Sequence, residues 1–172
     1  VENTTGTALT DTALLDRPIV LNQNMDSLVV HELAHQWFGD LLTCRDWSHG
    51  WLNEGFATFF ELVWHEHKQG LDWYRHFLQA EVDSYLREAA GSYRRPIVTN
   101  VYNYPIDLFD RHLYEKGGIV LNMLRRLLGD DLFWKAVRRY AITHRSTNVI
   151  TADLQRAIEA VWRIESPRLI AG

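Results

Sequence analysis

A mainly α fold with a short β arm at its N-terminus is what this sequence predicts. Three observations carry that expectation: apolar residues recur at helical spacing from residue 24 onward, glycines stand where successive helices should stop, and strand-like composition is confined to residues 1–21. The 172 residues are 47% hydrophobic and 23% charged, a globular composition that excludes a disordered chain. At that length a single domain is expected.

The elements follow in order. Thr7-Ala8-Leu9-Thr10 and Pro18-Ile19-Val20-Leu21 are the extended candidates of the arm, which cannot be stable without further sheet to pair with. Asn24 is a plausible cap for a first helix, with Asp26 in its first turn and Leu28, Val29, Leu33, Trp37 and Phe38 apolar up to Gly39. Because that helix is apolar on nearly every side, it is expected to be buried. A second helix is predicted over 51–68 with a stop at Gly70, and a third over 72–90 with a stop at Gly91. Pro96 and Pro105 mark 92–107 as an ordered surface loop. A fourth helix is predicted over 108–128, ending at Gly129; Asp130 caps a fifth that runs through Arg139 and beyond, and a last one starts at Thr151.

Composition also excludes partners. Lys and Arg number 18 against 22 Asp and Glu, a net charge of −4 that argues against nucleic acid or an anionic membrane. No stretch approaches the roughly 18 apolar residues that a transmembrane helix needs. The single cysteine, Cys44, rules out an intramolecular disulfide framework and any zinc site built on paired thiolates. Nothing fixes the compartment; a soluble chain is expected, with the cytoplasm favoured. The chain opens on Val1 rather than Met, which suggests a piece of a longer polypeptide.

The chemistry is concentrated at His31-Glu32-Leu33-Ala34-His35. Histidines at i and i+4 share one helix face with their imidazoles near enough to hold one metal ion, and the Glu at i+1 sits beside the open coordination position. Zinc suits this geometry. A catalytic zinc needs a third protein ligand, and Glu54, 19 positions after His35, lies near the start of the next predicted helix, which an antiparallel helix pair would bring back to the histidines. By composition alone such a motif with Glu at that offset arises in about one shuffled chain in eight hundred. His49, His65, His67, His76, His112 and His144 lack partners at ligand spacing and are expected in solvated or core roles.

These residues resemble the zinc aminopeptidases of the aminopeptidase N type, a family that also contains the leukotriene hydrolase. The segments His31-Glu32-Leu33-Ala34-His35-Gln36-Trp37-Phe38-Gly39-Asp40 and Trp51-Leu52-Asn53-Glu54-Gly55-Phe56-Ala57 are similar to its two zinc-binding segments at its spacing. Tyr114-Glu115-Lys116-Gly117-Gly118 resembles its tyrosine segment, and Val1-Glu2-Asn3 resembles the end of its Gly-x-Met-Glu-Asn exopeptidase motif, with Val where the family has Met. The resemblance implies a gluzincin, that is, a thermolysin-like catalytic domain of which this chain holds the helical lobe. Residues 1–21 would be an edge strand and arm of a largely absent sheet lobe, and 22–172 the zinc-binding lobe, with further domains in the same polypeptide.

The implied activity is removal of single N-terminal residues from peptides with a free N-terminus, using one zinc per chain held by His31, His35 and Glu54. Glu32 is the general base on chemical grounds, since a carboxylate beside the activated water can take its proton and deliver it to the leaving amine. By resemblance, Tyr114 stabilises the oxyanion and Glu2 pairs with the substrate's α-amino group. Asn53 and Thr58 are candidate outer partners of the metal-bound histidines. Two alternatives stay open: a zinc metalloendopeptidase without an amine anchor, and a non-catalytic helical module that retains a metal site.

Overall fold

The computed structural model describes residues 3–9, 25–91 and 93–170, with side chains to residue 165. Glu2, Pro18-Ile19-Val20-Leu21 and Asn24 lie outside the described residues. Six helices carry the described lobe: α1 (Asp26–Ala34), α2 (Trp51–Gln69), α3 (Leu71–Ala89), α4 (Glu115–Leu128), α5 (Asp130–Thr143) and α6 (Thr151–Ile170). The predicted glycine stops operate at two tight helix-to-helix turns, where Gly70 at φ 95° and Gly129 at φ 76° adopt a left-handed backbone that disfavours any side chain.

Helix α2 is the axis of the lobe, packed against α1, α3 and α4. Every residue from Trp51 to Phe59 is buried, which this stretch tolerates because Gly55 and Ala57 take little room and Asn53 and Glu54 find partners. Phe56 stacks on Phe38 at 4.0 Å between ring centroids, tying the segment that follows α1 to the core. Phe59 meets Phe133 edge to face at 5.4 Å and so brings in α5. Full burial of one such ring stabilises the fold by about 1.5–3 kcal/mol.

Helices α2 and α4 touch backbone to backbone. A Cβ on Gly117 would stand 2.7 Å from the Gly55 Cα, and one on Gly55 would stand 2.8 Å from the Gly117 Cα. Two adjacent glycines therefore set how closely Glu54 and the residues just before α4 approach one another.

Four expectations are corrected. The only strand-like part was placed at residues 1–21, but residues 3–9 of the arm form a turn and irregular backbone. The strands of the described residues are β1 (Leu42–Cys44) and β2 (Thr147–Val149), paired in parallel with Leu42 opposite Thr147. Three-residue strands joined across a hundred residues leave no periodicity to read. The first helix ends at Ala34 rather than running to Gly39, because its last turn tightens, with Trp37 N–H on the Ala34 carbonyl, and Gly39 at φ 144° turns the chain toward β1.

Nor is α1 buried on every side. Ala34 is its one buried member, while Val29 and Leu33, with Trp37 just beyond, are about half exposed among the described residues. That face borders an apolar groove of about 430 Å³ between α1 and α5, lined by Leu33, Trp37, Phe60 and Trp134 among others. Finally, the helix expected over 108–128 begins only at Glu115. A short 3-10 turn (Pro105–Leu108) precedes it, and Asp110 then captures the N–H groups of His112 and Leu113 with its carboxylate, which competes with helix formation.

Candidate active site

His31 stands on α1 and His35, one turn further, caps its C-terminus, while Glu54 stands in the first turn of α2 facing them. The Glu54 Oε2 lies 3.1 Å from His31 Nε2 and 3.3 Å from His35 Nε2. Ligands at zinc-bond lengths around a tetrahedral centre stand about 3.3 Å apart, so both edges that run from the Glu54 oxygen already have the length such an ion requires. All three side chains are largely withdrawn from solvent.

The other ring nitrogens show why the Nε2 atoms converge. His31 Nδ1–H donates to Glu61 Oε1 at 2.8 Å, and His35 Nδ1–H donates to the Phe38 carbonyl at 2.9 Å. A ring that donates through Nδ1 presents a lone pair at Nε2 when neutral. Two lone pairs and a carboxylate oxygen then face one another with a place for a cation between them, which is how a donor set fits a metal ion. The electrostatics agree. Burial by itself lowers the His31 pKa, but the hydrogen bonds and charges of Glu54 and Glu61 outweigh it and push it up. Burial raises Glu54, but His31 and His35 outweigh it and hold the carboxyl down. Positive charge is favoured at the centre of the cluster.

The remaining candidates surround this centre unevenly. Glu32 is part-buried on α1 between the two histidines. Tyr114 immediately precedes α4, half-buried, with its ring centroid 6.0 Å from that of His31 and 6.3 Å from that of Phe109. Glu2 lies outside the described residues, but the segment after it is tied to the end of α1: Gln36 Nε2 donates to the Asn3 carbonyl at 2.9 Å, and Gln36 Oε1 accepts from Thr5 N–H at 3.0 Å. The Asn53 side chain accepts the Cys44 N–H at 3.2 Å and so joins β1 to α2. Thr58 packs against Gly118 at the α2–α4 crossing.

The partners of the two Nδ1 atoms are Glu61 and the Phe38 carbonyl, in place of Asn53 and Thr58 as read from sequence. Glu61 was legible in principle, since it lies two helical turns after Glu54 on the same face of α2. The other buried histidines take structural roles. His65 lies 2.8 Å from both Ser27 Oγ and Gln69 Oε1, with its ring stacked on Phe77.

A second cluster of ligand types, Glu88, Asp110 and His112, is built differently. His112 Nδ1 lies 2.8 Å from Glu88 Oε2, while Asp110 is gripped by Arg95 through Nη2 at 2.6 Å and Nε at 2.8 Å. A guanidinium already supplies the positive charge that this carboxylate needs.

Among the described residues no helix is long and apolar enough to cross a membrane. Residues 1–167 match the model of the peptidase family M1 domain. Aminopeptidase M1 of Arabidopsis thaliana is 38% identical over 148 residues, covering 80% of this chain and 16% of that protein. Tricorn protease-interacting factor F2 of Thermoplasma acidophilum is 36% identical over 146 residues, covering 83% of this chain and 18% of that protein. Among solved structures, the M1 zinc metallopeptidase of Deinococcus radiodurans, an E323A mutant bound to a Tyr-Ser-Ala substrate, superposes with a TM-score of 0.67 at 34% identity, covering 81% of this chain and 30% of that one. The chain thus spans less than a quarter of the length of these curated relatives. With a family match that leaves out only the last few residues, the chain belongs to peptidase family M1.

Proposed function

We propose that this chain is the zinc-binding lobe of a metallo-aminopeptidase that works within a longer polypeptide, with residues 1–21 as the arm of a sheet lobe and 22–172 as the helical lobe. The observation that carries this reading is the convergence of His31 Nε2, His35 Nε2 and Glu54 Oε2, with both Nδ1 atoms turned outward to acceptors. The aminopeptidase name of the Arabidopsis relative and the tripeptide substrate of the Deinococcus one favour peptides as the substrate class.

Bound by these three residues, zinc supplies Lewis acidity, which acidifies water and polarises a carbonyl. Glu32 takes the proton of the attacking water and delivers it to the leaving amine, a transfer worth about 10²- to 10⁴-fold. The Tyr114 hydroxyl donates to the oxyanion as it develops, a contribution of roughly 3 kcal/mol for a preorganised donor. Glu2 pairs with the free α-amino group and so sets the cut one residue from the N-terminus. Glu61 holds the His31 ring in its productive orientation.

Metal analysis of the complete polypeptide, with parallel assays on aminoacyl amides and N-blocked peptides, tests the reading. One zinc per chain with amide hydrolysis abolished by Glu32→Gln is the expected result. Cleavage of blocked peptides would instead assign an endopeptidase, and zinc without hydrolysis of either a non-catalytic module.

A further inference from the structure

Tyr114 is presented by a turn rather than by a helix, and that turn is organised by one buried ion pair. Asp110 Oδ1 accepts the N–H of His112 at 2.9 Å and of Leu113 at 3.0 Å, and the Asp110 carbonyl accepts the N–H of Leu113 at 3.0 Å and of Tyr114 at 3.3 Å. Both carboxylate oxygens are engaged by Arg95 in a two-point pair, and Tyr93 donates its hydroxyl to Oδ2 at 2.7 Å. The Arg95 and Asp110 side chains are only 8% and 11% exposed. Arg95 also donates to the carbonyls of Leu108, Pro96 and Ile97, so one guanidinium fixes the chain on both sides of the loop. Lys116, two residues after Tyr114, returns a bond from Nζ to the Arg95 carbonyl at 3.3 Å.

We propose that the Arg95–Asp110 pair is the positioning device for Tyr114: it holds the 110–114 turn so that the hydroxyl meets the oxyanion without rearrangement. The proposal rests on the oxyanion role given to Tyr114 above. A planar, bidentate, desolvated pair suits this task because it restrains orientation as well as distance. Burial by itself would raise the Asp110 pKa, but the Arg95 hydrogen bonds outweigh it and keep the carboxyl ionised below its ordinary range. The pair therefore stays charged across the neutral range.

The test is a double-mutant cycle on kcat in the complete polypeptide, with zinc content and KM measured alongside. Asp110→Asn is expected to lower kcat about 10- to 100-fold with zinc content and KM unchanged, since a displacement of about 1 Å at a catalytic group costs on that order. In a Tyr114→Phe background the same change is expected to cost less than about 2-fold, because the hydroxyl it positions is gone. Equal losses in both backgrounds, or loss of zinc from Asp110→Asn, would overturn the positioning role while leaving Tyr114 its own. A Tyr114→Phe variant with full kcat would instead remove the oxyanion reading and the proposal with it. Should Asp110→Asn fail to fold, Tyr93→Phe removes a single bond to the same carboxylate at an exposed position and is expected to show the same dependence on Tyr114; kcat unchanged there in the presence of Tyr114 would also count against the proposal.

Discussion

Two clusters of histidine and carboxylate stand out among the described residues, and they differ in what faces the carboxylate. Around Glu54 the neighbours are two imidazoles whose donating nitrogens are committed elsewhere, to Glu61 and the Phe38 carbonyl. Around Asp110 the neighbour is a guanidinium that fills both oxygens. Both bring histidine and carboxylate atoms within 4.8 Å of one another, yet one arrangement has room for an added cation and the other already contains one. The direction in which the outer hydrogen bonds point, more than the presence of His, Asp and Glu, separates a cluster open to a cation from a structural staple.

The sharpest way to break this comparison is to remove a histidine from each. His35→Ala is expected to abolish stoichiometric zinc and all hydrolysis, whereas His112→Ala leaves one zinc per chain; metal analysis of the two variants decides. Loss of zinc from both would erase the distinction. The next effect is smaller. Glu61→Gln keeps a hydrogen-bond acceptor for His31 but removes its charge, and is expected to weaken zinc affinity about 10- to 100-fold in a chelator competition.

Gly117→Ala probes the crossing that brings the first cluster to Tyr114. A methyl group 2.7 Å from the Gly55 Cα forces α2 and α4 apart, with an expected loss of about 1–3 kcal/mol in denaturant unfolding. The Arg95–Asp110 pair, which lies on the loop before α4, is expected to survive that change.

The smallest effect concerns Glu81 on α3, which burial together with the charges of Glu115 and Glu61 raises to about 7. The folded chain therefore binds more protons than the unfolded one between the ordinary glutamate value, near 4.5, and about 7, so this group's contribution to stability falls as pH rises through that window. Glu81→Gln is expected to stabilise the chain by about 1–2 kcal/mol at pH 8 and to have little effect at pH 5. Thermal melts at the two pH values check the sign.

Much of this molecule was legible before folding. The helices from Trp51 onward were visible because apolar spacing and terminal glycines are local signals, and the approach of His31 to His35 was visible because i, i+4 side chains on one helical stretch need only the helix to converge. The break at 109–114 was not. It depends on Asp110 bonding its own following backbone while Arg95, 15 residues earlier, holds the carboxylate in place. The exposure of Val29 and Leu33 was hidden for the opposite reason: a helix apolar on nearly every side says that it wants cover, not which face the described lobe supplies.

The sequence by itself determined the helices over 51–69, 71–89 and 130–143, the stops at Gly70 and Gly129, and the pairing of His31 with His35 one turn apart, since each of these rests on short-range geometry along a single chain segment. Only the tertiary structure decided that Glu54 reaches both histidines, that Glu61 orients His31, that β1 pairs with β2, and that Tyr114 rides on a turn clamped by Arg95 and Asp110. Those outcomes depend on how closely Gly55 and Gly117 let two helices approach and on which distant groups satisfy buried charge. Contacts of that kind join residues far apart in the chain, and no local periodicity encodes them.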